Sequence, residues 1–256
     1  MKDKQIEQQR YNKFSENILS IIVNDKALLQ VLGADNFPIY LRPPYLHYHD
    51  LIHKNTIGIK KQLDLCCGNG MHSFTGAKNG ATVIALDYAE QSIALCKKRS
   101  KALNLYVDFR TSDVQTLSEY VDNEFDVVSC AGSLSYIDHD LYFSEVYRVL
   151  KRGGVFICVD SFNHNPIYSF NRFIHFLRGE RSYSTLKRMP NMDTINLLNQ
   201  IFKNVEVSYF GIFAFIAPLL KPMMPPETIA QIINKLDILF PFLRRYSFKI
   251  VIAASK

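Results

Sequence analysis

The sequence contains no tryptophan, has no long uninterrupted apolar run, and places its five cysteines without a familiar spacing. No apolar stretch approaches the roughly 18 residues of a membrane span, and residues 1–10 are polar and lack the apolar centre of a signal peptide. The cysteines are odd in number and form no pair of CxxC motifs, which argues against a zinc site and against a secreted disulfide framework. We therefore expect no membrane span, no export and no metal, with reduced thiols in the cytoplasm.

Acidic residues are outnumbered, with 24 Asp and Glu against 30 Lys and Arg, so that the formal net charge is +6. This charge favours an anionic partner, which can be a nucleic acid, a phospholipid surface or a phosphate-bearing small substrate. Charge alone does not choose among the three. The basic run at Lys97, Lys98, Arg99 and Lys101 fits a solvated helix face.

The distribution of apolar residues predicts one α/β domain over the 256 residues. Residues 1–60 have helical spacing and form an N-terminal helical cap. Short apolar runs then alternate with amphipathic stretches through a core at residues 61–160. Strands are predicted at 62–66, 82–87, 105–110, 125–130 and 154–160, and helices at 71–79, 90–103 and 139–150. Apolar strands that alternate with helices indicate a parallel sheet covered on both faces.

The alternation lapses twice after the core, at residues 161–191 and at residues 211–244. Between these two insertions we expect a helix at 192–202 and a strand at 204–209, and a last strand at 247–253. The insertions are placed to shape a substrate site beside the core.

A glycine-containing turn follows the first predicted strand. Gly68 and Gly70 let the backbone approach a ligand closely, although turns also use glycine for geometry alone. Asp87 ends the next strand, 19 residues after Gly68, where a carboxylate can accept hydrogen bonds from ribose hydroxyls. Asp113 follows the third strand and can either accept from the amino group of an adenine or cap a helix.

These segments resemble the class I S-adenosylmethionine-dependent methyltransferases. Residues 63–73 are similar to the family's first motif, 85–92 to its acidic second motif and 125–130 to its fourth strand, and 145–154 is the most distinctive match. The resemblance implies a Rossmann-like α/β fold with a seven-stranded, mostly parallel sheet whose last strand is antiparallel. It also implies S-adenosylmethionine as cofactor, held by Asp64, Cys66, Cys67, Gly68, Gly70, Asp87, Tyr88, Asp113, Val114, Cys130 and Ala131. The family usually has glycine where this chain has Cys66.

Three other protein classes share parts of this pattern. A nicotinamide dehydrogenase has a third glycine where this chain has Ser73. The stretch Arg42-Pro43-Pro44-Tyr45 resembles an element of enzymes that methylate a flipped base, but the roughly twenty residues before Asp64 are too few to supply the strands such a gene order requires. We therefore interpret Pro43 and Pro44 as the end of the N-terminal helical segment, place Tyr45 and His47 over the cofactor, and expect no nucleic-acid partner. A non-catalytic binding module on the same fold stays open, because a fold does not settle a function.

A hydroxyl acceptor usually needs a positioned base, and histidine suits that task near neutral pH. His139 follows the fourth strand and is our favoured base, with His164 and Asp160, after the fifth strand, as alternatives. For each histidine the competing interpretation is a surface residue without a catalytic role.

The first insertion is basic and aromatic, with Arg172, Arg178, Arg181, Lys187 and Arg188 against Glu180. It can bind a phosphorylated, nucleotide-linked or lipid-linked acceptor, and the spacing of Phe170, Phe173 and Phe176 predicts a helix that packs on the sheet. The apolar second insertion fits core packing. It also fits a cover over a hydrophobic substrate, or peripheral membrane contact beside Arg244 and Arg245.

The sequence as a whole predicts methyl transfer from S-adenosylmethionine to a small molecule, with a hydroxyl of a sugar-type or lipid-linked metabolite favoured. The alternatives are N-methylation of a small amine and cofactor binding without catalysis. The sequence gives no indication of the oligomeric state.

Overall fold

In a computed structural model, a seven-stranded sheet with the strand order β3-β2-β1-β4-β5-β7-β6 forms the centre of the fold. The structure describes residues 2–21, 28–29, 37–178 and 182–256. β1 to β5 pair in parallel, whereas β7 runs antiparallel to both of its neighbours, β5 and β6. The expected Rossmann-like α/β fold with an antiparallel last strand is therefore confirmed. The strands are β1 (Lys61–Leu65), β2 (Thr82–Asp87), β3 (Asp108–Thr111), β4 (Phe125–Ala131), β5 (Leu150–Ser161), β6 (Asn204–Phe210) and β7 (Lys249–Ser255).

Helices cover both faces of this sheet. One face packs against α2, α3 and α4, and the other packs against α5 and α8. Neighbouring residues of one strand, such as Val127 and Val128, are buried in different clusters, which is why the central strands read as continuous apolar runs. The helices are α1 (Lys2–Ile21), α2 (Pro43–Asn55), α3 (Phe74–Lys78), α4 (Glu90–Leu103), α5 (His139–Val149), α6 (Pro166–Leu177), α7 (Tyr183–Lys187), α8 (Met192–Ile201), α9 (Ala217–Leu220) and α10 (Pro226–Leu239).

The strand order reverses at β1, which has β2 on one side and β4 on the other. The connection that leaves β1 turns toward β2, and the one that leaves β4 turns toward β5. Their separation opens a crevice at the carboxyl edge of the sheet, which is where open α/β sheets bind ligands.

Three sequence interpretations about helices were wrong. Pro43 and Pro44 do not end a helical segment but occupy the first positions of α2, where the missing N–H of proline costs nothing and its fixed φ suits the helix. The aromatic helix exists as α6, but Phe170 and Phe173 are exposed and do not pack on the sheet. Arg99 is fully buried on α4, although Lys97, Lys98 and Lys101 are exposed as expected.

Element boundaries also differ in places. β3 begins three residues later than predicted, at Asp108, and β5 begins at Leu150 because the Lys151–Gly154 stretch extends the strand toward α5. Parts of the predicted cap, at 22–27 and 30–36, lie outside the described residues, as do Glu180 and Arg181 of the first insertion.

In the segment 145–154, which most resembles the methyltransferase family, Arg148 links several parts of the chain. Its guanidinium forms a two-pronged ion pair with Glu145, at 2.9 and 3.0 Å, and donates to the carbonyl oxygens of Leu117 and Tyr120 at 2.8 Å each. Glu145 in turn accepts a hydrogen bond from the backbone N–H of Leu117 at 2.9 Å. The pair therefore ties α5 to the connection before β4, because an arginine fork satisfies carboxylate and carbonyl acceptors together.

Cys66 stands in a left-handed backbone conformation with φ of 55°. The other described non-glycine residues with positive φ are Asn104 and Asn123, a residue type that tolerates this region through its short polar side chain. Cysteine has no such advantage. The turn after β1 therefore has a physical reason to prefer glycine at this position, and this chain departs from that preference.

The left-handed backbone at Cys66 predicts that a glycine variant is more stable than an alanine variant, which is the reverse of the usual order. Cys66→Gly should have a free energy of unfolding about 1–2 kcal/mol above that of Cys66→Ala, because only glycine escapes the steric cost of left-handed backbone. Both variants lose the thiol, so their difference, measured by urea denaturation, isolates the backbone effect. At an ordinary position glycine is the less stable by about 0.5–1 kcal/mol, and that order here would contradict the assignment.

Candidate active site

A cavity of about 380 Å³ occupies the crevice at the carboxyl edge of the sheet. Its size lies within the range of small-molecule sites. The loops after β1, β2, β3 and β4 form its floor, and α1, α2 and the α7 region close its sides. Ten of the residues predicted to hold a cofactor line it: Tyr45, Asp64, Cys66, Cys67, Gly68, Asp87, Tyr88, Asp113, Val114 and Ala131.

Two of the predicted cofactor residues do not line the cavity. Gly70, with φ of 77°, turns the loop, and a Cβ placed there would lie 2.8 Å from the Sγ of Cys96, so this glycine permits close packing against α4. Cys130 is fully buried in β4 beneath the cavity floor.

Asp87 connects two neighbouring loops. One carboxylate oxygen accepts from the N–H of Gly68 at 2.7 Å, and the other accepts from the N–H of Ala89 at 2.8 Å. Burial raises the pKa of Asp87, and the two N–H groups counter that shift. Because a carboxylate oxygen offers two acceptor positions, Asp87 can still receive hydroxyl donors from the cavity.

Asp113 is exposed and lies at the neighbouring strand end. Its Oδ1 accepts from the N–H of Gln115 at 3.1 Å, and the same residue faces the cavity. The helix-cap interpretation of Asp113 is wrong, because the described chain forms no helix between β3 and β4, whereas its place on the cavity is compatible with the adenine interpretation.

Asp64 is buried at the end of β1 with both oxygens engaged. It accepts from the hydroxyls of Ser73 at 2.7 Å and Ser129 at 2.8 Å. Burial raises its pKa to about 6, and the two hydroxyls oppose the rise. These bonds hold β1, β4 and the loop before α3 together, so Asp64 shapes the cavity floor.

Arg99 supports the cofactor loop and was missed in the sequence. Its guanidinium donates to the carbonyl oxygen of Asn69, and to that of Leu28 at 3.1 Å. The signal was present, because Arg99 follows the buried residues Ile93 and Cys96 at helical spacing on α4.

The N-terminal helix α1 covers one side of the cavity, where Glu7, Tyr11 and Phe14 line it. Gln8 donates to the carbonyl oxygen of Tyr88 at 2.9 Å, and the hydroxyls of Ser15 and Ser92 lie 2.9 Å apart. These contacts join α1 to the loop after β2 and to α4. The sequence predicted a helical cap but not which of its residues face the cavity.

The two histidines predicted as bases do not line the cavity. The Nε2 of His139 lies 2.9 Å from the carbonyl oxygen of Leu134; since a carbonyl can only accept, this nitrogen carries the proton. The Nε2 of His164 accepts from the N–H of Met192 at 3.1 Å. Asp160 accepts from the N–H groups of Leu134 and Ser161 at 2.8 and 2.6 Å. All three groups are engaged in hydrogen bonds with backbone groups of the fold.

His72 is the histidine that lines the cavity; all seven histidines lie in the described part of the chain. Its Nδ1 lies 2.7 Å from the Nε2 of His49, and its ring stacks on Tyr45 with centroids 5.5 Å apart. Burial, with His49 and Lys249 nearby, lowers the pKa of His72 to about 3. The imidazole is therefore neutral at physiological pH. His47, predicted over the cofactor, instead lies 3.1 Å from the Ser208 hydroxyl.

The first insertion reaches the cavity through α7 and the residue that follows it. Ser184, Thr185 and Arg188 line the cavity beside Ser135 and Tyr136. The guanidinium of Arg188 has no ion-pair or hydrogen-bond partner among the described residues. The cavity therefore has a cationic group at this side. Among the described residues no group of three His, Cys, Asp or Glu side chains is arranged to hold a metal ion.

Comparisons with known proteins agree with this geometry. Residues 63–158 match the family described as "Methyltransferase domain". A ubiquinone biosynthesis O-methyltransferase from Pseudomonas entomophila is 32% identical over 108 residues, which are 42% of this chain and 46% of the relative. The chain thus matches about half the length of that curated relative.

Solved structures resemble the fold at low sequence identity. A geranyl diphosphate methyltransferase in complex with GPP and sinefungin superposes with a TM-score of 0.60 at 15% identity, over 84% of this chain and 78% of that one. The [4+2]-cyclase SpnF superposes with a TM-score of 0.56 at 19% identity, over 82% and 80%. These likenesses concern the fold alone. Together with the matched domain and the strand-end motifs, they indicate that residues 63–158 form a methyltransferase domain with the fold of the class I S-adenosylmethionine-dependent enzymes.

Proposed function

We propose that this chain transfers a methyl group from S-adenosylmethionine to a small-molecule acceptor, and that the acceptor atom is the hydroxyl oxygen of a sugar-type or lipid-linked metabolite. The observation that carries the proposal is the cavity at the strand-order reversal, which brings Gly68, Asp87 and Asp113 together from three neighbouring strand ends. The whole chain is taken as one domain, with residues 1–60 and both insertions serving the core. Its five free cysteines, all described, are consistent with action in the cytoplasm.

The cavity fits the proposed cofactor. Gly68 has φ of 53°, and a Cβ added there would meet nothing within 4 Å, so the backbone borders open space. Asp87 keeps acceptor capacity toward that space for ribose hydroxyls, and Asp113 stands at the adjacent strand end for an adenine amine. When bound, S-adenosylmethionine supplies an activated methyl group on its sulfonium.

The protein's contribution to such a displacement is to orient the acceptor and to exclude water. Tyr11 and Phe14 of α1 close one side of the cavity, and Phe37 and Tyr45 line another part of it. The rings of Phe37 and Tyr45 stack with centroids 3.9 Å apart. Together they make an apolar wall that keeps water from the reacting atoms.

Arg188 supports an acceptor that carries negative charge. It faces the cavity with no anionic partner among the described residues, and an arginine fork binds phosphate oxygens well. A solved structure with the same fold is named for geranyl diphosphate, an anionic molecule, which is consistent with this acceptor class.

His72 replaces His139 as the proposed proton acceptor. The oxygen of a hydroxyl becomes strongly acidic as its bond to the methyl group forms, so a weakly basic, neutral imidazole can accept the proton late in the reaction. If the Nδ1–H of His72 donates to His49, the Nε2 of His72 is the free acceptor nitrogen. His49 then acts as a positioning residue that fixes this tautomer.

Two other functions fit parts of the same site. An amine acceptor would need no base, so His72 would then only line the cavity. A role without methyl transfer is also consistent with the fold, because a [4+2]-cyclase shares it. A turnover assay that follows formation of S-adenosylhomocysteine with candidate hydroxyl and amine acceptors distinguishes these two functions from methyl transfer to a hydroxyl.

Asp87→Ala should weaken binding of S-adenosylhomocysteine, measured by calorimetry, by about 1.5–3 kcal/mol, since charge-assisted hydrogen bonds to the ribose would be lost. Asp140→Ala is the matched control, because Asp140 is exposed on α5 and does not line the cavity. Thermal unfolding shows whether loss of the Gly68 and Ala89 contacts perturbs the loop. Unchanged affinity in Asp87→Ala would show that the ribose assignment is wrong.

His72→Ala should lower turnover of a hydroxyl acceptor by roughly a hundredfold, the scale of general-base catalysis, while leaving S-adenosylhomocysteine affinity near that of the parent. His139→Ala and His164→Ala are controls and should keep nearly full turnover. A large loss of cofactor affinity in His72→Ala would instead assign the side chain to cofactor binding. A large loss of turnover in His139→Ala alone would restore the base predicted from the sequence.

A further inference from the structure

Helix α6 has its apolar side turned outward. Ile167, Phe170, Phe173 and Leu177 are between 48% and 66% exposed, and the one buried residue of the helix is Arg172. The Arg172 guanidinium donates to the carbonyl oxygen of Phe162 and to the Oδ1 of Asn163, at 3.1 Å each. An ordinary surface helix buries its apolar stripe and exposes its charges. The reversed arrangement in α6 leaves an apolar surface that is suited to contact another molecule.

A second group of exposed apolar side chains lies in the chain segment that connects β6 to β7. Within residues 211–248, the side chains of Ala217, Ile229 and Ile233 belong to a small buried cluster, as the core-packing interpretation of this segment predicts. Five large apolar side chains of the same segment remain 68–78% exposed: Leu219, Met223, Ile238, Leu239 and Phe242.

The two apolar groups belong to one connected part of the molecule. Tyr168 of α6 donates to the carbonyl oxygen of Gly211 at 3.1 Å, and its ring lies 4.7 Å from that of Phe248. Asn165 donates to the carbonyl oxygen of Tyr246 at 2.9 Å. Both segments follow the carboxyl ends of parallel strands, β5 and β6, so they lie beyond the same sheet edge as the cavity.

Positive charge is concentrated in the same segments. Residues 162–191 and 211–248 hold nine Lys and Arg against three Asp and Glu, an excess that equals the +6 of the whole chain. Arg178, Lys187, Lys221, Arg244 and Arg245 are exposed, and within the described ranges none of them pairs with a carboxylate. Asp237 is turned inward, where it accepts from the N–H groups of Gly211, Ile212 and Phe213.

Exposed apolar side chains, in the same segments as cations without a carboxylate partner, match the interface of a membrane that contains anionic lipids. A second copy of this chain is a poor occupant, because a two-fold contact would place the same cationic residues against one another. In the described part of the chain no helix has the length and apolar character to cross a membrane, so the contact would be peripheral.

We propose that α6, together with the exposed apolar residues of 211–248, docks on the surface of an anionic lipid bilayer. Residues of α7, which follows α6 in the chain, line the cavity, so docking brings the cavity close to the lipid surface. The methyl acceptor is then a molecule held in that surface; this last step rests on the proposed function, whereas the docking does not.

The test is flotation of the full chain with vesicles of phosphatidylcholine alone or with added phosphatidylglycerol. The chain should float with the anionic vesicles, and high salt should weaken this binding because it screens the charges. Phe170→Ser combined with Leu177→Ser should reduce the bound fraction at least about tenfold, given the apolar area that each side chain inserts. Arg244→Gln combined with Arg245→Gln should reduce binding to anionic vesicles as well.

Ile59→Ser combined with Tyr106→Ser is the matched control. Both side chains are strongly exposed, but they precede β1 and β3 and so lie at the opposite edge of the sheet, and this variant should float like the parent. Absence of flotation, or equal flotation of the α6 variant, would overturn the proposal. Light scattering that shows a dimer dissociated by the α6 substitutions would assign the surface to a second copy instead.

The readout separates docking from catalysis. S-adenosylhomocysteine affinity of the α6 variant should equal that of the parent, because neither Phe170 nor Leu177 lines the cavity; this also reports correct folding. If the parent floats but does not bind S-adenosylhomocysteine, the proposed function fails and docking stands. If it binds S-adenosylhomocysteine but does not float, the reverse holds.

Discussion

The carboxylate of Asp64 holds together the backbone segments that form the cavity floor, although the burial of a carboxylate is unfavourable in itself. It lies in the sheet interior with a raised pKa of about 6, and the hydroxyls of Ser73 and Ser129 donate to its two oxygens. A buried carboxylate without such donors would be costly. With them it fixes three pieces of backbone: the end of β1, the middle of β4 and the entry to α3.

The remaining contacts of the loop build on that anchor. The chain leaves β1 through the left-handed Cys66, and the next turn is held by the bond between Gly68 and Asp87 and by the hydrogen bond from Arg99 to Asn69. Each bond joins the loop to a different element, namely the loop after β2 and helix α4. The loop is therefore positioned from both sides before any ligand binds, which lowers the ordering cost of binding.

The sequence correctly predicted the features that depend on the order of the strands and on the positions of their ends. β2 and α4 have the predicted bounds, and Gly68, Asp87 and Asp113 reach one cavity, because alternating apolar strands and helices determine which strand ends meet. It was uninformative about which side chains the tertiary packing turns toward the cavity. No pattern in the sequence indicates that His72 faces the cavity beside His49, or that His139 donates a hydrogen bond to the carbonyl oxygen of Leu134.

Periodicity failed in a different way at α6. The spacing of Phe170 and Phe173 correctly gave a helix, but an apolar stripe has the same period whether it meets a sheet or a lipid surface. Only the burial of Arg172 on the other side of the helix decides between the two orientations. The segments outside the core, α1 and the region of α6 and α7, carry part of the apolar wall, Arg188 and the outward stripe. Each of these features depends on tertiary contacts that no local pattern encodes.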